Sequence, residues 1–264
     1  MLTLKNILLT LFVWTAAYSV SFAQHTYFAP QGTIHYEKTI FLKNLIKRYA
    51  SYENDPSKRT FFTRFVDQVP ENLVYKKTLA FNEDEVLFQH VKESQPEMIQ
   101  QLAMSGIFES GVNSYQNLKK KEMRSLFELG GQEIYVQDSL VNTKWRITNE
   151  YRNIAGYNCR RANGIVMDSI YVVAFYTDEI PVSAGPSVFN GLPGTIMGLA
   201  IPELHYNIFA TKVDLAPVPF IDGNLAKKKA KPLTRDEVYN QLKSVVGGFL
   251  GEKIFNLVMV GYFL

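Results

Sequence analysis

The stretch YTDEIPVSAGPSVFNGLPGTIMGL, residues 176–199, sets three prolines and four glycines between apolar segments that read as strands. Pro193-Gly194 fits the central positions of a type II turn, proline presetting φ and glycine taking the positive φ that a side chain resists. Val188, Phe189 and Leu192 precede this bend, and Ile196, Met197 and Leu199 follow it. A bend flanked so heavily by apolar residues is predicted to lie against a core. Its chemistry is that of a backbone, not of a reaction.

Outward from this stretch, the chain reads as short strands separated by turn residues. Residues 169–177 are apolar on both sides, which predicts a central strand covered on both faces. Downstream, Tyr206, Ile208 and Ala210 alternate in a return strand. Upstream, residues 33–37 alternate, and 73–81 and 86–92 flank the short acidic run 82–85 as a hairpin. Residues 134–136, 144–151 and 157–166 supply further strands, the last entered through Gly156. Phe41, Leu45 and Tyr49 recur at helical spacing among lysines, and residues 96–105 predict a small surface helix or lid closed by Gly106. Residues 61–69 fit a helix or a strand, and 111–121, ending in Lys119-Lys120-Lys121, read as a solvated loop. The expected fold is mainly β (α+β): a curved antiparallel sheet or half-barrel with a few short helices and a C-terminal helix.

Several of these residues carry a resemblance. GLPGTIMGL is preceded in order by Trp145, by Gly156-Tyr157-Asn158-Cys159, by Tyr176 and Pro181, and by Gly185-Pro186 and Phe189, ahead of Gly191-Leu192-Pro193-Gly194. In this order they resemble the GLPGLI family, secreted proteins of the Bacteroidota whose biochemical role is not established, over roughly residues 32–215. Thr195 stands where the family name has its second leucine, and Phe175 where a tryptophan is usual; both read as packing changes. The resemblance implies a structural motif and no catalytic role.

Four segments are expected: a signal peptide, 1–23; a β-rich domain, 24–215; a linker, 216–232; and a C-terminal helical segment, 233–264. Lys5, the apolar run 7–20 and Ser21-Phe22-Ala23 have the order of a secretory leader, which predicts a protein exported to the periplasm or beyond. Pro217, Pro219, Gly223 and the lysines at 227–229 and 231 mark the linker. Thr234-Arg235-Asp236-Glu237 is a capping box that opens a helix. The apolar tail beyond it contains Glu252, Lys253 and Asn256 and is expected to dock on the domain, on a partner or at a membrane surface, not to span one.

The formal charge of +3 is too slight to imply a nucleic-acid partner. Cys159 is the chain's one cysteine, so no intramolecular disulfide forms, and the thiol is expected to be buried and inert. His25, His35, His90 and His205 are scattered singly, which predicts no metal site. Ser187 lacks the second glycine of a nucleophile elbow, no phosphate loop or dinucleotide fingerprint is present, and Asp178-Glu179 point to opposite faces if extended. No cofactor and no catalytic residue are expected. With 18 Phe and 15 Tyr, the sheet is expected to hold an apolar small molecule or a peptide, the alternatives being an enzyme assembled from distant residues and an envelope assembly protein.

Overall fold

A computed structural model describes residues 31–104, 106–109, 111–129, 131–218, 221–225 and 231–264. The expected signal segment lies outside them, as does part of the expected linker.

Eleven antiparallel strands form one open sheet. In chain order they are β1 (Gly32–Ile40), β2 (Leu73–Phe81), β3 (Glu85–His90), β4 (Asn113–Asn117), β5 (Glu122–Leu129), β6 (Gln132–Ser139), β7 (Thr143–Ile154), β8 (Tyr157–Val166), β9 (Ile170–Thr177), β10 (Thr195–Ile201) and β11 (Tyr206–Asp214). The spatial order is 6-5-4-3-2-1-11-10-9-8-7. The sheet is therefore two meanders, β1–β6 and β7–β11, joined along the single seam where β1 pairs with β11. The two edge strands, β6 and β7, follow each other in sequence with only residues 140–142 between them. So short a connection forces the sheet to curl until its edges approach at one corner, although no ladder closes it into a barrel.

Burial alternates along most strands, as period-2 geometry requires. Ile34, Tyr36, Lys38 and Ile40 of β1 face inward, matched on β2 by Leu79, Lys77, Tyr75 and Leu73. Among the described residues five α-helices complete the fold: α1 (Leu42–Tyr52), α2 (Pro56–Val66), α3 (Glu97–Met104), α4 (Arg235–Leu250) and α5 (Glu252–Phe263). Asp55 caps α2 by accepting from the amides of Ser57 and Lys58, and the Thr234–Glu237 capping box opens α4. Leu233 extends β6 by a parallel bridge to Val136, so the sheet and the C-terminal helices are joined at that edge. α5 buries Ile254, Phe255, Leu257, Val258 and Met259 in the same core as the sheet. Among the described residues, no helix is long and apolar enough to cross a membrane.

The stretch 178–194 crosses the inner face between β9 and β10 as a plug. Its residues Ile180, Val182, Ala184, Val188, Phe189 and Leu192 are buried, and its backbone is held by side-chain donors from three strands. Ser114 Oγ and Gln116 Nε2, both on β4, donate to the Ser187 carbonyl at 2.7 and 3.0 Å. Trp145 Nε1, on β7, donates to the Asn190 carbonyl at 2.9 Å. Thr195 Oγ1, on β10, lies 2.9 Å from the Val182 carbonyl and 3.2 Å from that of Ile180. At the plug's exit, Tyr36 of β1 donates to the Ile196 carbonyl at 2.6 Å.

Three expectations are corrected. Residues 113–117 are a buried strand, not a solvated loop, because Ser114 and Gln116 bind the plug. β9 is covered on one face: Val172, Ala174 and Tyr176 are buried while Tyr171 is 41% exposed. On its other face Phe175 is approached by a cation, the Arg152 guanidinium lying 5.8 Å from its ring and 4.8 Å from that of Phe209. Pro193-Gly194 is not a type II turn, since Gly194 has φ +157°, far from the value near +80° that such a turn needs. Glycine is required there by a close approach: a Cβ at 194 would stand 2.1 Å from the carbonyl oxygen of Thr177. Gly194→Ala is therefore expected to lower unfolding free energy by about 1 to 3 kcal/mol, read as a drop in urea midpoint. Substitution at Gly156, where a Cβ meets nothing within 4 Å, meets only its positive φ of 89° and should cost less.

Candidate functional site

Three ionisable side chains meet on the inner face. Lys38 of β1, Lys77 of β2 and Glu109, from the segment after α3, are 4%, 1% and 7% exposed. The β1–β2 register sets Lys38 opposite Tyr75 and Lys77 opposite Tyr36, so the lysines stand diagonally on neighbouring strands. Lys38 donates to Glu109 Oε2, and Lys77 donates to Oε1 at 3.2 Å and to the Val112 carbonyl at 3.4 Å. The Val112 amide donates to the same Oε1 at 2.7 Å. The Lys38 ammonium also sits 4.2 Å from the centre of the Tyr206 ring.

One carboxylate cannot neutralise two ammonium groups, and burial disfavours the surplus charge. Burial pulls Lys77 down to about 7. Burial first, and the Lys77 charge second, hold Lys38 well below the ordinary lysine range. The cluster is thus a place where a lysine is driven towards neutrality inside a sheet. Beside it lies a space of about 20 Å³ bordered by Lys38, Glu109, Tyr49, Tyr206, Leu257 and Val258, roughly the room of one water molecule.

His90 pairs with Lys77 in the β2–β3 register, and its ring meets that of Tyr75 edge-on at 5.7 Å. Burial, then the Lys77 charge, lowers His90 to about 4, so the imidazole is neutral at neutral pH. The Tyr75 hydroxyl and His90 Nδ1 are buried with no hydrogen-bond partner among the described residues, a costly state for polar atoms. Both residues line a groove of about 1120 Å³. The groove exists because β4 is short: Phe127–Leu129 of β5 pair with β6 alone, leaving a notch between β3 and β5. Ile99, Phe127 and Tyr262 form an apolar wall beside Tyr75 and His90, and the groove continues to Thr78, Leu87, Gln89 and Asn113.

The residues singled out from the sequence lie elsewhere. Trp145, Gly185, Pro186, Phe189, Gly191, Leu192 and Gly194 gather in and around the plug, with the rings of Trp145 and Phe189 6.4 Å apart. Gly185 is held by space, since a Cβ there would lie 2.8 Å from the Phe189 carbonyl oxygen. Tyr176 is buried on β9, and Pro181 is exposed at the plug's entry. Gly156 and Tyr157 form the β7–β8 hairpin, with positive φ at Ala155 and Gly156. Cys159 is buried on β8, and burial, with the Glu179 carboxylate second, raises its thiol to about 12. None of these residues lines the groove. Sequence reasoning missed Lys38, Lys77 and Glu109. A lysine at every inward position between Tyr36 and Ile40, and between Tyr75 and Leu79, was the available signal, visible once the strands' alternation is fixed. Among the described residues no three His, Cys, Asp or Glu side chains are grouped to hold a metal.

Two outcomes follow from these environments. Between about pH 7 and the ordinary lysine value of 10.5, the unfolded chain binds a proton at Lys77 that the native state does not, so native stability rises with pH in that window. The urea midpoint should climb from about pH 7 to pH 9, Lys77→Met should flatten the climb, and Glu109→Gln should lose about 3 kcal/mol through uncompensated ammonium charge. Cys159 should react with an aromatic disulfide reagent roughly a hundredfold more slowly in native than in denatured protein, with rapid native labelling as the contrary result.

A comparison with curated proteins finds no match. Two solved structures of PNGF-II, in different space groups, are similar at TM-scores of 0.47 and 0.48, each with 16% identity over 81% of this chain and 33% of that one. The chain thus spans about a third of the length of those solved chains. A family model described as "Protein of unknown function (Porph_ging)" matches residues 164–198, which run from the end of β8 through β9 and the plug into β10 and so include Tyr176, Pro181 and Gly191-Leu192-Pro193-Gly194 but not Trp145 or Cys159.

Proposed function

We propose that this chain is an exported envelope protein of the GLPGLI type that binds an extended peptide segment without transforming it. The observation that carries the reading is the groove at the notch between β3 and β5, where the Tyr75 hydroxyl and His90 Nδ1 stand buried and unpartnered. Buried polar atoms left without partners favour a ligand that supplies them. Its lining combines apolar side chains, Ile99, Phe127 and Leu87, with hydrogen-bonding ones, Thr78, Gln89 and Asn113. Such a mixture suits a peptide, with its regular amides and alternating side chains, better than a bare acyl chain. Export rests on the leader-like order of residues 1–23.

A second reading, an enzyme assembled from distant residues, draws on the convergence of His90, Lys77 and Glu109. Against it, neither the lysines nor the glutamate lines the groove.

Native mass spectrometry of the protein recovered from its own envelope tests the binding reading. A peptide-sized adduct is expected, lost in Gln89→Trp, which places an indole in the groove from an exposed strand position, and weakened in Tyr75→Phe by about tenfold. A clean apo mass together with no binding from a peptide library would refute it, and a chemically altered peptide would favour the enzyme.

A further inference from the structure

Away from the groove, α2 and α4 expose one joined apolar patch. Phe61 is 62% exposed, Val245 77% and Phe249 75%. Lys58, Phe61 and Phe65 recur at positions three and seven apart and so share a face of α2, and the Phe61 and Phe65 rings stack at 5.8 Å. Val245 and Phe249 are four apart and share a face of α4. Lys58 fastens the two faces together, its ammonium donating to the Phe249 carbonyl at 2.6 Å and lying 5.2 Å from that residue's ring centre. α4 has little else to bury there: Val238 is its one fully buried residue, and Tyr239, Leu242, Val246 and Leu250 form the stripe that meets the core.

The helices beside the patch carry basic side chains, while Asp55 and Asp67 cap the two ends of α2. Every charged residue of α1 and α2 is basic: Lys43, Lys47, Arg48, Lys58, Arg59 and Arg64. Arg48 is paired with Glu203, and Arg59 donates to the Glu53 carbonyl. Lys43, Lys47, Lys58 and Arg64 have no ion-pair partner among the described residues. On the α5 side, Lys253 lies 5.8 Å from the Tyr52 ring centre, and the nearby carboxylate of Glu252 is taken up by Lys243 at 3.2 Å. Exposed phenylalanines flanked by Lys58 and Arg64, neither of them in an ion pair among the described residues, complement an anionic, partly apolar plane.

We infer that this face docks on an anionic bilayer surface, with Phe61, Val245 and Phe249 entering the headgroup–acyl boundary and Lys58, Arg64 and Lys253 meeting lipid phosphates. Aromatic insertion and basic charge each contribute modestly, and together they give reversible peripheral attachment. The attachment does not depend on the groove or its ligand.

Protein recovered after export is sedimented with vesicles of phosphatidylcholine alone and of phosphatidylcholine with an equal share of phosphatidylglycerol. Binding is expected to the mixed vesicles, to weaken severalfold as salt is raised to half-molar, and to fall about tenfold in Phe61→Ser/Phe249→Ser. Both substitutions are at exposed positions, and an unchanged urea midpoint verifies that the variant is folded. Equal binding to neutral vesicles, equal binding by the folded double variant, or no binding at all would overturn the proposal. So would a dimer in sedimentation velocity that the double variant abolishes, because the patch would then be covered by a second copy of the chain.

Discussion

The carbonyl of Ser187 holds the molecule together in a way that no single apolar contact does. It accepts from Ser114 and Gln116 on a strand of the first meander, while the plug that carries it belongs to the second. Asn190 adds a bond to the Gln116 side-chain carbonyl at 2.9 Å. Because these groups are buried, each bond matters more for what it prevents than for what it gains: an unpartnered carbonyl inside the sheet would cost on the order of 1 to 3 kcal/mol. The polar inward side of β4 and the course of the plug therefore require each other, and β4 could not be apolar without orphaning the backbone that fills the fold.

The plug also explains the residue types around it. Gly185 and Gly194 are places where two pieces of chain come too close for a side chain. Thr195 is fully buried, with its hydroxyl against two plug carbonyls, a role that a leucine at this position could not fill. Ser187 itself has φ +58°, a left-handed conformation held by bonds on both sides of the residue. The region is built for geometry, and the Lys38–Lys77–Glu109 cluster and the groove lie beside it, in the first meander.

Much of this was readable from the chain. The alternation of β1, the β2–β3 hairpin, the capping box at Thr234 and the buried position of Cys159 all follow from period, turn chemistry and polarity. What could not be read came from contacts distant in sequence. Residues 113–117, NSYQN, have the composition of a loop, and only the plug, some seventy residues later, gives their side chains a reason to face inward. The apolar run of β9 suggested two covered faces, because nothing local reveals that, among the described residues, no second layer packs over Tyr171. The buried lysines were hidden for a similar reason: their partner, Glu109, approaches from a segment between a helix and a strand, and no spacing rule links it to Lys38 or Lys77.

The seam between β1 and β11 has a consequence for how the chain assembles. Every other strand pairing joins strands consecutive along the chain without leaving a meander, the longest connection being the one through α1 and α2 between β1 and β2. At the seam, Thr33 meets Asp214 and Ile40 meets Tyr206, so a loop of well over a hundred residues must close before the first bond there forms. Each meander can gather locally while the seam carries the entropy of the whole ring. The chain is, in effect, a ribbon whose first and last strands meet at the middle of the sheet, while its two edges are tied together by residues 140–142, where Val141 is buried in the core.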